Sequence, residues 1–163
     1  ELRDPRTVGP LRRALADPSA DVRDAALTAL VRIGAPAVEA ICAALRHKDP
    51  LLREAAADAL GTLREPEAIS ALCSILQDEY PYVRAKAAEA LGKIGRKEAS
   101  FALRARLLPV FGEVYPEVIA QIRTALECLR HSEVAGLPLP AAPPAADAQS
   151  LPRPSGAPLP EPE

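Results

Sequence analysis

Apolar positions along the first 130 or so residues fall into two stripes that alternate. Val8, Leu11 and Leu15 follow one another at steps of three and four, as do Val38, Ile41 and Leu45, and Ile69, Leu72 and Leu76. Such steps place side chains on one face of a helix. Downstream of each set runs a second: Ala26, Leu30 and Ile33; Ala56, Leu60 and Leu63; Ala87, Leu91 and Ile94. The segments linking the two, Leu15 to Arg23, Leu45 to Arg53 and Leu76 to Arg84, are each nine residues long and overlay without a slip at shifts of 30 or 31 residues. The pattern predicts a helical hairpin repeated in tandem. Pro5, Pro36 and Pro66 stand two or three residues ahead of the first stripes, where a missing N–H costs a helix nothing. Asp17-Pro18, Asp49-Pro50 and Tyr80-Pro81 mark the turn inside each hairpin, and Gly34 and Gly95 close second helices where a left-handed residue is commonly needed.

A fourth unit is present in altered form. Its first helix carries Leu103 and Leu107, its second Val118, Ile122, Leu126 and Leu129, and the turn between them is lengthened, so that Val83 to Val118 spans 35 residues. Ile119 stands where the other units have arginine, and bulkier residues replace several alanines, which suits a terminal repeat. One hairpin cannot bury both of its apolar faces, so stability must come from stacking, and the alanines of the second helices allow close approach. The expected organisation is a repeat array over residues 1–131, with units at about 4–34, 35–64, 65–95 and 96–130. A Pro/Ala-rich tail over 132–163 follows, expected to be disordered. Leu2 to Val8 overlays Leu63 to Ile69, which places Leu2 at the end of a second helix, and the array is expected to be the C-terminal part of a longer one.

Composition adds exclusions. Leucine, alanine and arginine dominate and aromatics make up 3% of residues, which favours an all-α fold over strands. A net charge of −2, with both signs spread along the chain, leaves no field suited to nucleic acid. Cys42, Cys73 and Cys128 show neither disulfide nor zinc spacing and read as core thiols. Without a membrane-length apolar run or a signal segment, a soluble, cytoplasmic chain with no membrane partner is expected. Nine of the 18 prolines lie between Pro138 and Pro162, a composition unable to offset the entropy of ordering. Leu-Pro-x-Pro at Leu137, Leu151 and Leu159 favours polyproline II, as a spacer or as a segment read by a proline-recognising domain.

Asp4-Pro-Arg-Thr-Val-Gly-Pro-Leu11, Asp21-Val-Arg-Asp-Ala-Ala-Leu-Thr-Ala-Leu30 and Val83-Arg-Ala-Lys-Ala-Ala-Glu-Ala-Leu-Gly-Lys-Ile-Gly95 resemble HEAT-like repeats of the phycobilisome-lyase type. The resemblance implies a right-handed α-solenoid of about four repeats, with second helices lining a concave, partner-binding side. It implies that Arg23, Arg53 and Arg84 form a structural ladder, each bonding acidic or carbonyl groups in the adjacent turn; an exposed anion-binding row is the alternative. Planar guanidinium donors suit the former.

No constellation suited to catalysis stands out, and no cofactor or metal site is indicated. Some HEAT-like enzymes bind iron through repeated His-Glu pairs, but His131-Ser-Glu133 is the one approach to that pattern here. The expectation is therefore a chain that is not an enzyme: a monomeric scaffold, or part of a larger chain, binding a protein partner. On the second helices, Asp24, Thr28, Arg32, Glu54, Asp58, Thr62, Lys86, Glu89 and Lys93, with Gln121 and Thr124 beyond them, point away from both stripes. They would line the concave surface, acidic in the middle and more basic toward Lys86 and Lys93, unless they form only a solvated face of mixed charge. Tyr80, Tyr82 and Tyr115 stand in turns as interface anchors or as packing between loops. Rival readings are a subunit of a phycobilin lyase/isomerase, tested by retention of a linear tetrapyrrole, and a regulatory repeat region of a larger enzyme.

Overall fold

A computed structural model describes residues 5–108, 113 and 115–135 of the 163. Eight α-helices, and no strand, occur among them: α1 (Val8–Ala14), α2 (Ala20–Ile33), α3 (Val38–Ala44), α4 (Pro50–Leu63), α5 (Ile69–Ile75), α6 (Pro81–Ile94), α7 (Ser100–Arg106) and α8 (Pro116–Ala135). They pair as four hairpins, a short helix followed by a long one. Each short helix is entered through one 3₁₀ turn, at Pro5–Thr7, Ala35–Ala37, Pro66–Ala68 and Lys97–Ala99. The described residues thus form an all-α solenoid of stacked helical hairpins. Helix α8 extends to Ala135, while Leu2, the lengthened turn at 109–112 and the proline-rich residues 136–163 lie outside the described residues.

The core is one continuous seam. Leu30, Leu60 and Leu91 of the second helices and Ile41, Leu72 and Leu103 of the first have no exposed surface, each burial being worth about 1.5–3 kcal/mol. Gly34 and Gly95 end α2 and α6 with positive φ of 86° and 74°. At the equivalent end of α4 the residue is Arg64, also at positive φ (57°), where an L side chain costs about 1 kcal/mol relative to glycine.

Spacing between layers differs on the two sides of the stack. Gly61 of α4 lies so close to α6 that a Cβ built on it would sit 2.8 Å from the Ala90 Cα and 2.9 Å from its Cβ; on Gly92 it would sit 3.0 Å from the Ala125 Cα of α8. Side-chain-free contact brings these helices together almost backbone to backbone. The short helices α5 and α7, by contrast, stand apart across an open groove of about 1160 Å³, edged by Phe101 and Leu108. A layer narrow on one side and wide on the other is a wedge, and stacked wedges curve. The second helices therefore lie on the inside of the curve.

Cys42 and Cys73 are half-buried, with thiol pKa values raised chiefly by burial. Cys128, however, is exposed and not a core thiol, because it lies about a quarter turn round α8 from the seam residues Ile122, Ala125 and Leu129 and borders a surface depression. Among the described residues no helix is long and apolar enough to cross a membrane.

Candidate functional site: an arginine ladder and a concave groove

The repeated arginines form a ladder. Arg53 donates from Nη1 to the carbonyls of His47 and Lys48 in its own turn, at 2.9 and 3.2 Å. Its Nε and Nη2 grip Asp78 of the next hairpin at 2.7 and 2.9 Å. Arg84 repeats both halves: carbonyls of Asp78 and Glu79 at 2.8 and 3.1 Å, and the two oxygens of Glu113 at 2.6 and 2.8 Å. Each guanidinium thus closes a turn and ties it to the following layer, with the bidentate geometry that makes Arg–carboxylate pairs strong. The side chain of Glu113 is fully buried. Burial pushes its pKa up, but bonds from Arg84 and the Tyr115 N–H, with the charges of Arg84 and Arg106, outweigh it and hold the carboxyl below its ordinary value. For Asp78 burial is again the largest single influence, overcome by Arg53, the Tyr80 N–H and the charge of Arg84. Tyr80 lies over Arg53 and Tyr115 over Arg84, at 5.6 and 5.5 Å from ring centroid to guanidinium carbon, so both tyrosines serve the ladder.

The first rung is irregular. Counting from the leucine that ends each first stripe, Asp17 and Asp78 hold the same place, and that place in the second hairpin is His47. His47 keeps the local role, accepting the Asp49 N–H at Nδ1 (3.0 Å) as Asp17 and Asp78 accept those of Ser19 and Tyr80. It offers no carboxylate, so Arg23 reaches instead to a single oxygen of Asp49, and its buried Nε has no partner. His47→Asp is expected to convert this rung to the bidentate form and raise stability by about 1 kcal/mol, as a neutral-to-charged gain in hydrogen bonding allows. An unchanged urea midpoint for that variant would contradict the assignment.

On the concave side the expected residues separate into two groups. Asp58, Lys86, Glu89 and Lys93 form one network: Lys93 bonds Asp58 at 3.1 Å and Glu89 at 2.8 Å, and Lys86 bonds Glu89 at 2.9 Å. The expected basic end of the face is consequently neutralised, because lysines of α6 reach across to Asp58 of α4. Glu89 is correspondingly held below its ordinary pKa, first by Lys93 and then by Lys86. Thr62 gives its hydroxyl to the Asp58 carbonyl (3.0 Å). Asp24, Thr28 and Arg32 are exposed on α2 and line neither of the grooves on this side.

The first of these grooves, about 390 Å³, runs between α4, α6 and α8 and is lined by Glu54, Tyr82, Lys86, Glu89, Glu117 and Gln121 over a floor of Pro81, Ala85 and Val118. Tyr82, 39% exposed, packs its ring 5.5 Å from Tyr80, which anchors it to the ladder while leaving its face to the groove. With the lysines engaged, Glu54 and Glu117 leave the groove acidic. Glu117 escaped the sequence pattern because Leu51 and Tyr82 hold its place in the second and third units, and its one acidic counterpart, Asp21, lies in the first unit. A second depression holds Arg64, Lys93, Gln121, Thr124 and His131.

Models of HEAT repeats match residues 38–127, and of a single HEAT repeat residues 8–35. Human deoxyhypusine hydroxylase, solved in complex with glycerol, is 33% identical over 79% of this chain with a TM-score of 0.69. The complex of CpcE and CpcF of phycocyanin lyase from Nostoc sp. PCC7120 is 26% identical over 78% of this chain, with a TM-score of 0.58. An engineered protein at 23% identity and TM-score 0.55 shares the fold. The chain spans 44% of the hydroxylase and 55% of the lyase chain. Among curated protein sequences none matches. The likeness to the hydroxylase corrects the expectation that the chain is not an enzyme: a stack one-third identical to it carries an enzyme's activity, so repeats lacking an evident catalytic constellation are no ground for excluding one.

Proposed function

Since the chain belongs to the HEAT-repeat family, we propose that it is a protein-interaction module whose concave groove takes a positively charged segment of a partner protein. Solenoids present such extended concave surfaces for binding. The observation that carries the reading is the acidic groove between α4, α6 and α8, where Glu54 and Glu117 flank an anchored, half-open Tyr82 while the nearby lysines are spent on Asp58 and Glu89. An aromatic anchor with charges of one sign at its rim selects and orients a partner of the opposite sign.

Reversing both charges, Glu54→Arg with Glu117→Arg, is expected to lower the recovery of associated proteins about tenfold in quantitative mass spectrometry, roughly 1.4 kcal/mol of binding. The melting temperature should stay unchanged, because neither side chain takes part in the ladder. Equal recovery of the same proteins by both forms rejects the groove. A second reading is favoured by the 33% identity to an enzyme: the groove holds a substrate rather than a lasting partner. The same mass spectra separate the two, since a covalently altered captured chain supports the second and an unaltered one the first.

A further inference from the structure

We propose that the N-terminal edge of the stack, made by α1 and α2, docks a further helical hairpin whose second helix presents an arginine to Asp17. The carboxylates equivalent to Asp17 in register are Asp78 and Glu113, and both are gripped at two oxygens by the arginine of the preceding hairpin. Asp17 is built the same way. It accepts the N–H two residues ahead, from Ser19 at 2.9 Å, as Asp78 and Glu113 do from Tyr80 and Tyr115. Its turn carbonyl likewise accepts Arg23. Among the described residues no guanidinium reaches its carboxylate, and the rung stands open.

The surroundings match. Val22 begins α2 where α4 has Leu52 and α6 has Val83; it is 41% exposed, against 2% and 0% for those two. Leu11 is only half-buried, whereas Ile41 and Leu72 at the same place have no exposed surface. An apolar edge with a carboxylate set in it fits one kind of occupant, a hairpin bringing apolar side chains and a guanidinium together. A second copy stacked through its C-terminal end does not qualify, because the ladder position of its last hairpin is Ile119.

The edge is tested by joining a copy of residues 35–62 ahead of Leu2, so that Leu2 takes the place of Leu63 and the copied arginine stands to Asp17 as Arg53 stands to Asp78, sixty-one residues on. The extended protein is expected to melt at least about 4 °C above the parent. Asp17→Asn, which retains the turn bond, should remove half or more of that gain and change the parent itself by less than about 1 °C. Alanine in place of the copied arginine should have the same effect, and the two changes together should be no worse than either. No gain on extension, or a gain untouched by Asp17→Asn, overturns the proposal.

Discussion

Alanine at Arg84 is expected to destabilise the protein by about 3–5 kcal/mol, the cost of stranding one partner of a buried ion pair. In melting temperature this is a fall of roughly 10 °C for a chain of this size. The loss has two parts. The turn carbonyls of Asp78 and Glu79 lose their donor, and Glu113, whose side chain is fully buried, loses both bonds to its main counter-charge. Arg106, 3.3 Å away, supplies a weaker substitute. The second part is recoverable: Glu113→Gln in the Arg84→Ala background removes the buried charge that has lost Arg84 and should restore stability by about 1 kcal/mol or more, a non-additive result expected of groups in one network. Arg23→Ala should cost less, because its partner Asp49 is partly exposed and is held through a single oxygen. A ladder that serves only to bind anions predicts otherwise. If Arg84→Ala melts within 2 °C of the parent, the structural reading is wrong.

Valine at Gly61 is expected to cost about 3 kcal/mol, seen as a lowered urea midpoint with an unchanged slope. A glycine inside a helix ordinarily costs 0.5–1 kcal/mol relative to alanine, so on propensity alone a side chain here should stabilise α4. Packing decides the sign. The Cβ would meet the backbone of Ala90 at 2.8 Å, and backbone, unlike the end of a flexible side chain, moves only with its helix. Even Gly61→Ala should therefore be destabilising, by about 1 kcal/mol once the propensity gain is subtracted. An increase in stability for Gly61→Ala would show that α4 and α6 separate freely and that the close approach carries no energy.

The hairpins are legible in the sequence because helical steps and a repeat of 30 or 31 residues are local signals that three successive copies reinforce, and the same register picks out Arg23, Arg53 and Arg84. Partners of the ladder were hidden for a physical reason. The carboxylates come from the next hairpin, 25 and 29 residues downstream. The regular place is masked in the second unit by His47 and displaced in the fourth by the lengthened turn. Gly61 and Gly92 were equally illegible, since a helical glycine reads as a weak point until a neighbouring backbone is seen against it, and Val31 in the first unit breaks the pattern. On the concave face, sequence could find which side chains share a side but not that Lys86 and Lys93 would be consumed by Asp58 and Glu89. Pairing across layers depends on the spacing of α4 and α6, which no single helix encodes.

Val31 stands where α4 and α6 have glycine, and Arg23 holds its rung through one oxygen where Arg53 and Arg84 use two. Both differences fall on the same interface, between α2 and α4. In a linear array each interface stabilises only its neighbours and is lost separately. Cohesion in this stack is consequently lower at its first interface than at the two that follow, giving the molecule a direction: thermal opening is expected to start between α2 and α4, while the layers after it hold the fold, and the groove with them, intact.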